Sequence, residues 1–457
     1  MSIRIRSLFM AFAVLLLAAF QAHAQQNWPG FKEADWIAKD FRFHTGEVMP
    51  QMRIHYATLG DPKNEAVLVL HGTTGNLNSM LSAGYGGQMF GPGQPLDANR
   101  YFIIFPDAIG HGKTAKPSDG LRAKFPKYNY DDMVDAQYRL VKEGLGIKRL
   151  RLVTGNSMGG MHTWIWGTKY PGEMDALVPM ASQPTEMSSR NWMLRRLIVD
   201  SITTDPEWNN GNYTKQPRSA QFASVYYALA TNGGDQALYK AAPTRTKADQ
   251  LLDARLKAPF TADANDVLYA WASSGDYNAA PNLHRIQASL LAINAADDER
   301  NPPSTGIMER ELGRVRGAKY LLIPASEDKA GHGTTGNARW YARQVGDWLA
   351  TVPRGANVAA APVVAPAPLT VAPRAVAPAA AAVPAAPAPA PAAVVAVPAA
   401  GTATMITIPG PPPVEAAPPQ ARQPEGDPSR IRKRPNPYGC TIWDTAQCSA
   451  PLPAERR

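Results

Sequence analysis

The sequence predicts an α/β fold: a mostly parallel sheet with helices on both faces and a helical lid inserted late in the chain. Three observations predict it. Short apolar runs recur between amphipathic stretches from about residue 52 to residue 352. One such run leads directly into VTGNSMGGMHTW (153–164), where a serine is set between glycines ahead of a helix-like segment. Between residues 183 and 284 the strand pattern lapses and helix-like segments take over.

The chain begins with Arg4 and Arg6, an apolar run from Leu8 to Phe20, and the small-residue pattern Ala22, His23, Ala24. Residues 1–24 read as a secretory signal peptide, so the mature protein is expected to be exported, periplasmic or secreted. The apolar part is short for a membrane span, and no later stretch is long and apolar enough to cross a bilayer. No cysteine follows the cleavage point, which argues against a lipid anchor there. Of the formal charge of +9, the leader carries two and the tail beyond Gly355 a net three, leaving four on the intervening part. That is too small an excess to imply a nucleic-acid partner.

Within residues 25–354, MRIHYATLG (52–60) alternates like a strand. The runs AVLVLHG (66–72), YFIIFPD (101–107), RLRLVTG (149–155), ALVPMAS (176–182), SLLAINA (289–295) and KYLLIPA (319–325) read as buried strands. YDDMVDAQYRLVKEGLG (130–146), the segment after Ser157 and WYARQVGDWLATV (340–352) have helical periodicity. The insertion at about 183–284, with NWMLRRLIVDSI and SAQFASVYYALA, reads as a lid. Residues 355–423 are dominated by Pro, Ala and Val, the composition of an extended, disordered linker. Residues 424–457 form a basic segment with the only two cysteines, Cys440 and Cys448. In an oxidising compartment these are expected to form an intramolecular disulfide. The main domain therefore cannot rest on disulfides or on a thiolate metal site, and no cofactor is called for.

The pattern Gly155-x-Ser157-x-Gly159 after a strand and before a helix is that of a nucleophile elbow. It puts Ser157 at the carboxyl end of a central strand, where open α/β sheets place their ligands. A serine hydroxyl needs a base, and the base needs an acid that fixes its tautomer. On this architecture both follow the serine in the chain. His23 leaves with the leader; His44, His55, His71 and His111 precede the serine; His162 is carried on the following helix; and His284 precedes a strand. His332, in GHGTTG (331–336) after the last strand, is the expected base. Asp297 and Asp298, at the end of SLLAINA, are the candidate acids. The oxyanion donors are expected to be the backbone N–H of Met158 and Thr73, in the loop HGTTG (71–75).

The chain resembles the α/β-hydrolase superfamily, and within it the homoserine O-acetyltransferase branch. The likeness runs from about Phe41 to Trp348 and includes FRFHTGEVMPQMRIHYATLG, GPGQPLDANRYFIIFPD and GNSMGGMHTWIW. LIVDSITTDPEWNNGNY and DANDVLYAWASSGDYN are similar to lid segments of that branch. ADDERNPP resembles its aspartate motif, with the acid four residues before the first proline, and this resemblance selects Asp298 over Asp297.

Two departures bear on function. The loop after the third predicted strand reads DAIGHGKTAKPS, as in ordinary hydrolases, rather than the Gly/Ser/Thr-rich loop of the acyltransferases. Their lid carries an Ala-Arg pair in a region associated with the substrate carboxylate; the aligned positions here are Ala223 and Ser224. Serine cannot replace a bidentate guanidinium contact. Export points the same way, because acyl-CoA donors are cytoplasmic. The expected activity is thus that of an exported serine hydrolase acting on a small-molecule ester or related acyl compound. An acyltransferase of the homoserine type and a non-catalytic binding protein on the same fold are the alternatives. The sequence leaves the oligomeric state open, a dimer included.

Overall fold

The computed structural model describes residue 28 and residues 30–355. The expected signal peptide, the Pro/Ala-rich linker beyond Gly355, the basic segment 424–457 and the Cys440–Cys448 disulfide lie outside the described residues.

Eight strands form one sheet: β1 (Lys32–Arg42), β2 (Val48–Leu59), β3 (Glu65–Leu70), β4 (Tyr101–Pro106), β5 (Leu150–Asn156), β6 (Met174–Met180), β7 (Ser289–Ala295) and β8 (Lys319–Ile323). Their spatial order is β1-β2-β4-β3-β5-β6-β7-β8. The β1/β2 and β2/β4 pairs are antiparallel, and all others are parallel. The parallel strands β3 to β7 are buried nearly throughout, as sheets covered on both faces require, while the edge strand β8 is only half-buried. All the strands expected from apolar runs form. β1 was not among them: KEADWIAKDFR is largely exposed, and it is a strand because β2 pairs with ten of its residues.

On one face, helix α3 (Tyr130–Arg139) and helix α4 (Met158–Lys169) pack through Met133, Val134, Trp164 and Trp166. The Asn129 side chain caps α3 reciprocally with Asp132. The expected helix over 130–146 is α-helical only to Arg139 and finishes as a π-turn over Leu140–Gly144. The other face is covered by the short helices α1 (Leu77–Met80) and α2 (Gly86–Met89) and by the terminal helix α11 (Ala342–Thr351), through Met80, Tyr85, Val345 and Trp348. The insertion between β6 and β7 is helical. It comprises α5 (Ser189–Thr203), α6 (Arg218–Thr231), α7 (Asp235–Ala241), α8 (Arg245–Lys257) and α9 (Ala264–Ala272), with α10 (Ile307–Leu312) following β7. The insertion has its own small core around Ile198, Ile202, Tyr227 and Trp271.

Arg151 on β5 fastens the end of the domain. Its buried guanidinium donates to Leu349 O at 2.7 Å, Val352 O at 2.8 Å and Pro353 O at 3.0 Å, and pairs with Asp175 at 3.2 Å. It therefore satisfies carbonyls that the end of α11 leaves free. Arg151→Met leaves those carbonyls without their donor while Arg149 still pairs with Asp175 at 2.5 Å, and is expected to cost about 1–3 kcal/mol. A denaturant-unfolding midpoint indistinguishable from wild type would contradict this role.

Candidate active site

The sheet order reverses between β3 and β5, so the crevice at their carboxyl ends is a topological switch point. Ser157 follows β5 there, and residues 71–75 follow β3. Ser157 has φ 57° and ψ −111°, a strained conformation for a non-glycine residue. The flanking glycines make the turn possible. A Cβ at Gly155 would strike the Gly159 backbone, and one at Gly159 would strike the Leu70 carbonyl. The turn is held from below by Ser157 N–H donating to Met180 O at 2.9 Å, and Met161 N–H donates to Ser157 O at 2.9 Å.

His332 Nε2 lies 2.9 Å from Ser157 Oγ, and its Nδ1 lies 2.9 Å from both Asp298 oxygens. All three residues are buried. Nδ1 faces a carboxylate and so carries the proton, which leaves Nε2 to accept from the serine hydroxyl. Asp298 accepts from Arg300 N–H at 2.8 Å, Asn301 N–H at 3.0 Å and Asn301 Nδ2 at 3.0 Å. Burial alone would raise its pKa, but the His332 and Asn301 bonds outweigh this and hold it below the usual carboxylate range. Asp297 does not join the triad; neither of its oxygens has a hydrogen-bond partner among the described residues.

Of the two expected oxyanion residues, Thr73 lines the cleft, and Met158, next after Ser157, is fully buried. Met158 opens α4, so its N–H has no intrahelical partner. The Thr73 peptide is fixed by neighbours: Gly72 O accepts from His71 Nδ1 at 2.8 Å and from Gly75 N–H at 2.9 Å. A trans peptide then directs Thr73 N–H the opposite way. His71 Nε2 accepts from Ala108 N–H at 3.0 Å, and His111 Nε2 is 2.6 Å from Thr73 O. Burial pushes the His71 pKa down to about 3. These two histidines, set aside as bases on sequence order, are the posts on which the loop hangs. Thr73 lines the cleft, and its buried Oγ1 has no partner among the described residues.

Sequence reasoning missed Glu299. Its carboxylate accepts from His332 N–H at 3.0 Å and from Gly234 N–H at 2.7 Å, tying the base's loop to the chain just before α7. The cleft has a volume of about 240 Å³, and Ser157, His332, Thr73, Asn232, Trp271 and Arg300 are among the residues lining it. Among the described residues no cluster of ligating side chains could hold a metal ion.

A family model described as the alpha/beta hydrolase fold matches residues 65–328. The chain belongs to that family. Its likeness within the family is to the homoserine O-acetyltransferase branch. It is 27% identical over 297 residues to a probable acyltransferase of Methanothermobacter thermautotrophicus (63% of this chain, 87% of that protein). It is 33% identical over 196 residues to the homoserine O-acetyltransferase of Leptospira biflexa, covering 38% of this chain and only 50% of that relative. The solved structure of esterase E22 superposes with a TM-score of 0.60 at 20% identity, over 70% of this chain and all of the other (100%), a likeness of fold.

Asp298→Asn is expected to lower turnover by about 10⁴, because the acid that fixes the His332 tautomer is lost; Asp297→Asn is expected to be mild. Steady-state kinetics with the reverse ranking would move the acid by one residue. Burial, ahead of all else, pushes the His332 pKa below its ordinary value, only partly offset by Asp298 and reinforced by Arg300 and Arg195. The base is active when neutral, so activity is lost as pH falls through that lowered pKa. The acidic limb of kcat/KM is expected to have its midpoint below 6.5; a midpoint above 7 would contradict the assignment.

Proposed function

We propose that the protein is an exported serine hydrolase that cleaves a small-molecule ester or related acyl compound through an acyl-serine. The observation that carries the reading is the continuous Asp298–His332–Ser157 hydrogen-bond chain opening on a cleft. Ser157 Oγ attacks the carbonyl carbon as His332 Nε2 takes its proton. The carbonyl oxygen becomes an oxyanion facing Met158 N–H and Thr73. Collapse expels the alcohol, which leaves with the proton from His332. Water then repeats the sequence and frees the acid and the serine.

Water is favoured as acceptor by three features. Ser224 stands where the acyltransferase lid has arginine, and its hydroxyl is occupied in donating to Ala220 O at 2.7 Å. The loop after β4 reads DAIGHGKT, and the leader at residues 1–24 argues for export. The second reading, transfer of the acyl group to an alcohol, is favoured by the names of the two relatives above. Both share the acyl-serine.

Ser157→Ala is expected to abolish fluorophosphonate labelling and to lower ester turnover by about four to six orders of magnitude. Given acetyl-CoA and homoserine, the purified protein is expected to form no O-acetylhomoserine. Efficient formation of that product would establish the second reading in place of the first.

A further inference from the structure

We infer that Arg300 forms an anion subsite beside the nucleophile, so that the preferred substrate is an ester carrying a carboxylate a few bonds from its scissile carbonyl. The inference deepens the acyl-serine reading and rests on it.

Arg300 lies two residues after the triad acid and lines the same cleft as Ser157 and His332. Its Nε donates to Thr231 O at 3.2 Å and Thr231 Oγ1 at 3.1 Å, and its guanidinium lies over the Tyr227 ring, 4.6 Å from the centroid. These contacts clamp one edge and one face of the fork. The terminal nitrogens have no hydrogen-bond partner among the described residues. Neither does any carboxylate there form an ion pair with Arg300.

A second cation stands close behind. Arg195 is fully buried, held by Asn191 Oδ1 at 2.9 Å and Ser274 Oγ at 3.1 Å, and lies 4.9 Å from the ring centroid of Trp271, itself a cleft residue. It too has no acidic partner among the described residues. The Asp298 and Glu299 carboxylates offset part of the Arg300 charge without pairing with it, while desolvation and the Arg195 guanidinium act against it. An anionic group of the substrate relieves both penalties. A carboxylate fits the planar fork of two terminal N–H groups, with Asn232 as a neutral neighbour on the cleft wall. The positive charge that the lid lacks at Ser224 is thus supplied from the loop that also carries the triad acid.

The test uses the full chain and two matched ester pairs. In one pair the charge is on the acyl side: mono-p-nitrophenyl glutarate against its neutral isostere, p-nitrophenyl 5-methylhexanoate. In the other it is on the alcohol side: 4-acetoxybutyrate against 4-methylpentyl acetate. Wild type is expected to prefer the anionic member of at least one pair by tenfold or more in kcat/KM, after subtraction of uncatalysed hydrolysis. Arg300→Gln is expected to reduce that ratio at least tenfold, with Arg300→Lys intermediate. Removing the Arg300 charge also acts on His332, but this affects both members of a pair and leaves the ratio unmoved. If the neutral esters turn over while neither pair shows a preference, or the preference survives in Arg300→Gln, the subsite is overturned and the hydrolase reading stands. If no ester turns over and a fluorophosphonate fails to label Ser157, the hydrolase reading fails. Calorimetry with glutarate then decides the subsite alone: binding lost in Arg300→Gln supports it, and no binding to wild type overturns it.

Discussion

The approach of Gly159 to the carbonyl of Leu70 is the constraint on which the site depends. It brings the start of α4 against the end of β3, leaving no space for a side chain. The backbone between β5 and α4 must then turn within one residue, and that residue, Ser157, takes a positive φ. Such a conformation costs about 1–3 kcal/mol. It persists because α4 is buried along almost its whole length and because Ser157 N–H is tied to the end of β6. The same closeness brings the first turn of α4 beside the start of the loop that carries Thr73, since a Cβ at Gly159 would also meet His71 O. The strained turn and the position of the Ser157 hydroxyl thus follow from one backbone contact.

Charge in the site is arranged around a buried imidazole that must stay neutral until it reacts. Asp298 is kept ionised by His332 itself and by the Asn301 side chain and backbone, with Arg300 N–H donating as well, so it orients His332 without taking its proton. Burial and the two nearby guanidiniums favour neutral imidazole in the resting state. An anionic substrate group neutralising Arg300 would shift that balance toward imidazolium, the form that must develop in the transition state. Substrate binding and activation of the base are then coupled through one arginine.

Much of this was legible in the sequence, and the reason differs from element to element. The buried strands announced themselves because parallel strands covered on both faces are continuous apolar runs. Ser157 and His332 were readable because the elbow has a local spacing and because chain order eliminates the other histidines. Asp298 needed the family resemblance, since two adjacent aspartates at a strand end are indistinguishable by local chemistry. β1 was invisible because an exposed edge strand carries few apolar residues and is specified by its partner. The posts at His71 and His111 and the clamp at Glu299 were hidden for another reason. Each acts through a bond to backbone far away in the chain, from His111 to Thr73 or from Glu299 to Gly234, and no spacing rule encodes such a contact.

Arg300 illustrates how one substitution of place changes what a fold can select. An arginine on the loop after β7 is fixed to the sheet by the same turn that holds the triad acid, since its own N–H caps Asp298 at 2.8 Å. Its side chain is clamped to Thr231 and Tyr227 of α6, so it also bridges the sheet edge to the insertion. Glu299, one residue earlier, makes a parallel bridge from the His332 loop to Gly234. Acid, base and cation are therefore held by one short run, Asp298 to Asn301, that is pinned to both layers. Geometry near the reacting carbon is then coupled to the insertion through Thr231, Tyr227 and Gly234 as well as to the sheet, and the proposed anion subsite would share that frame with the chemistry.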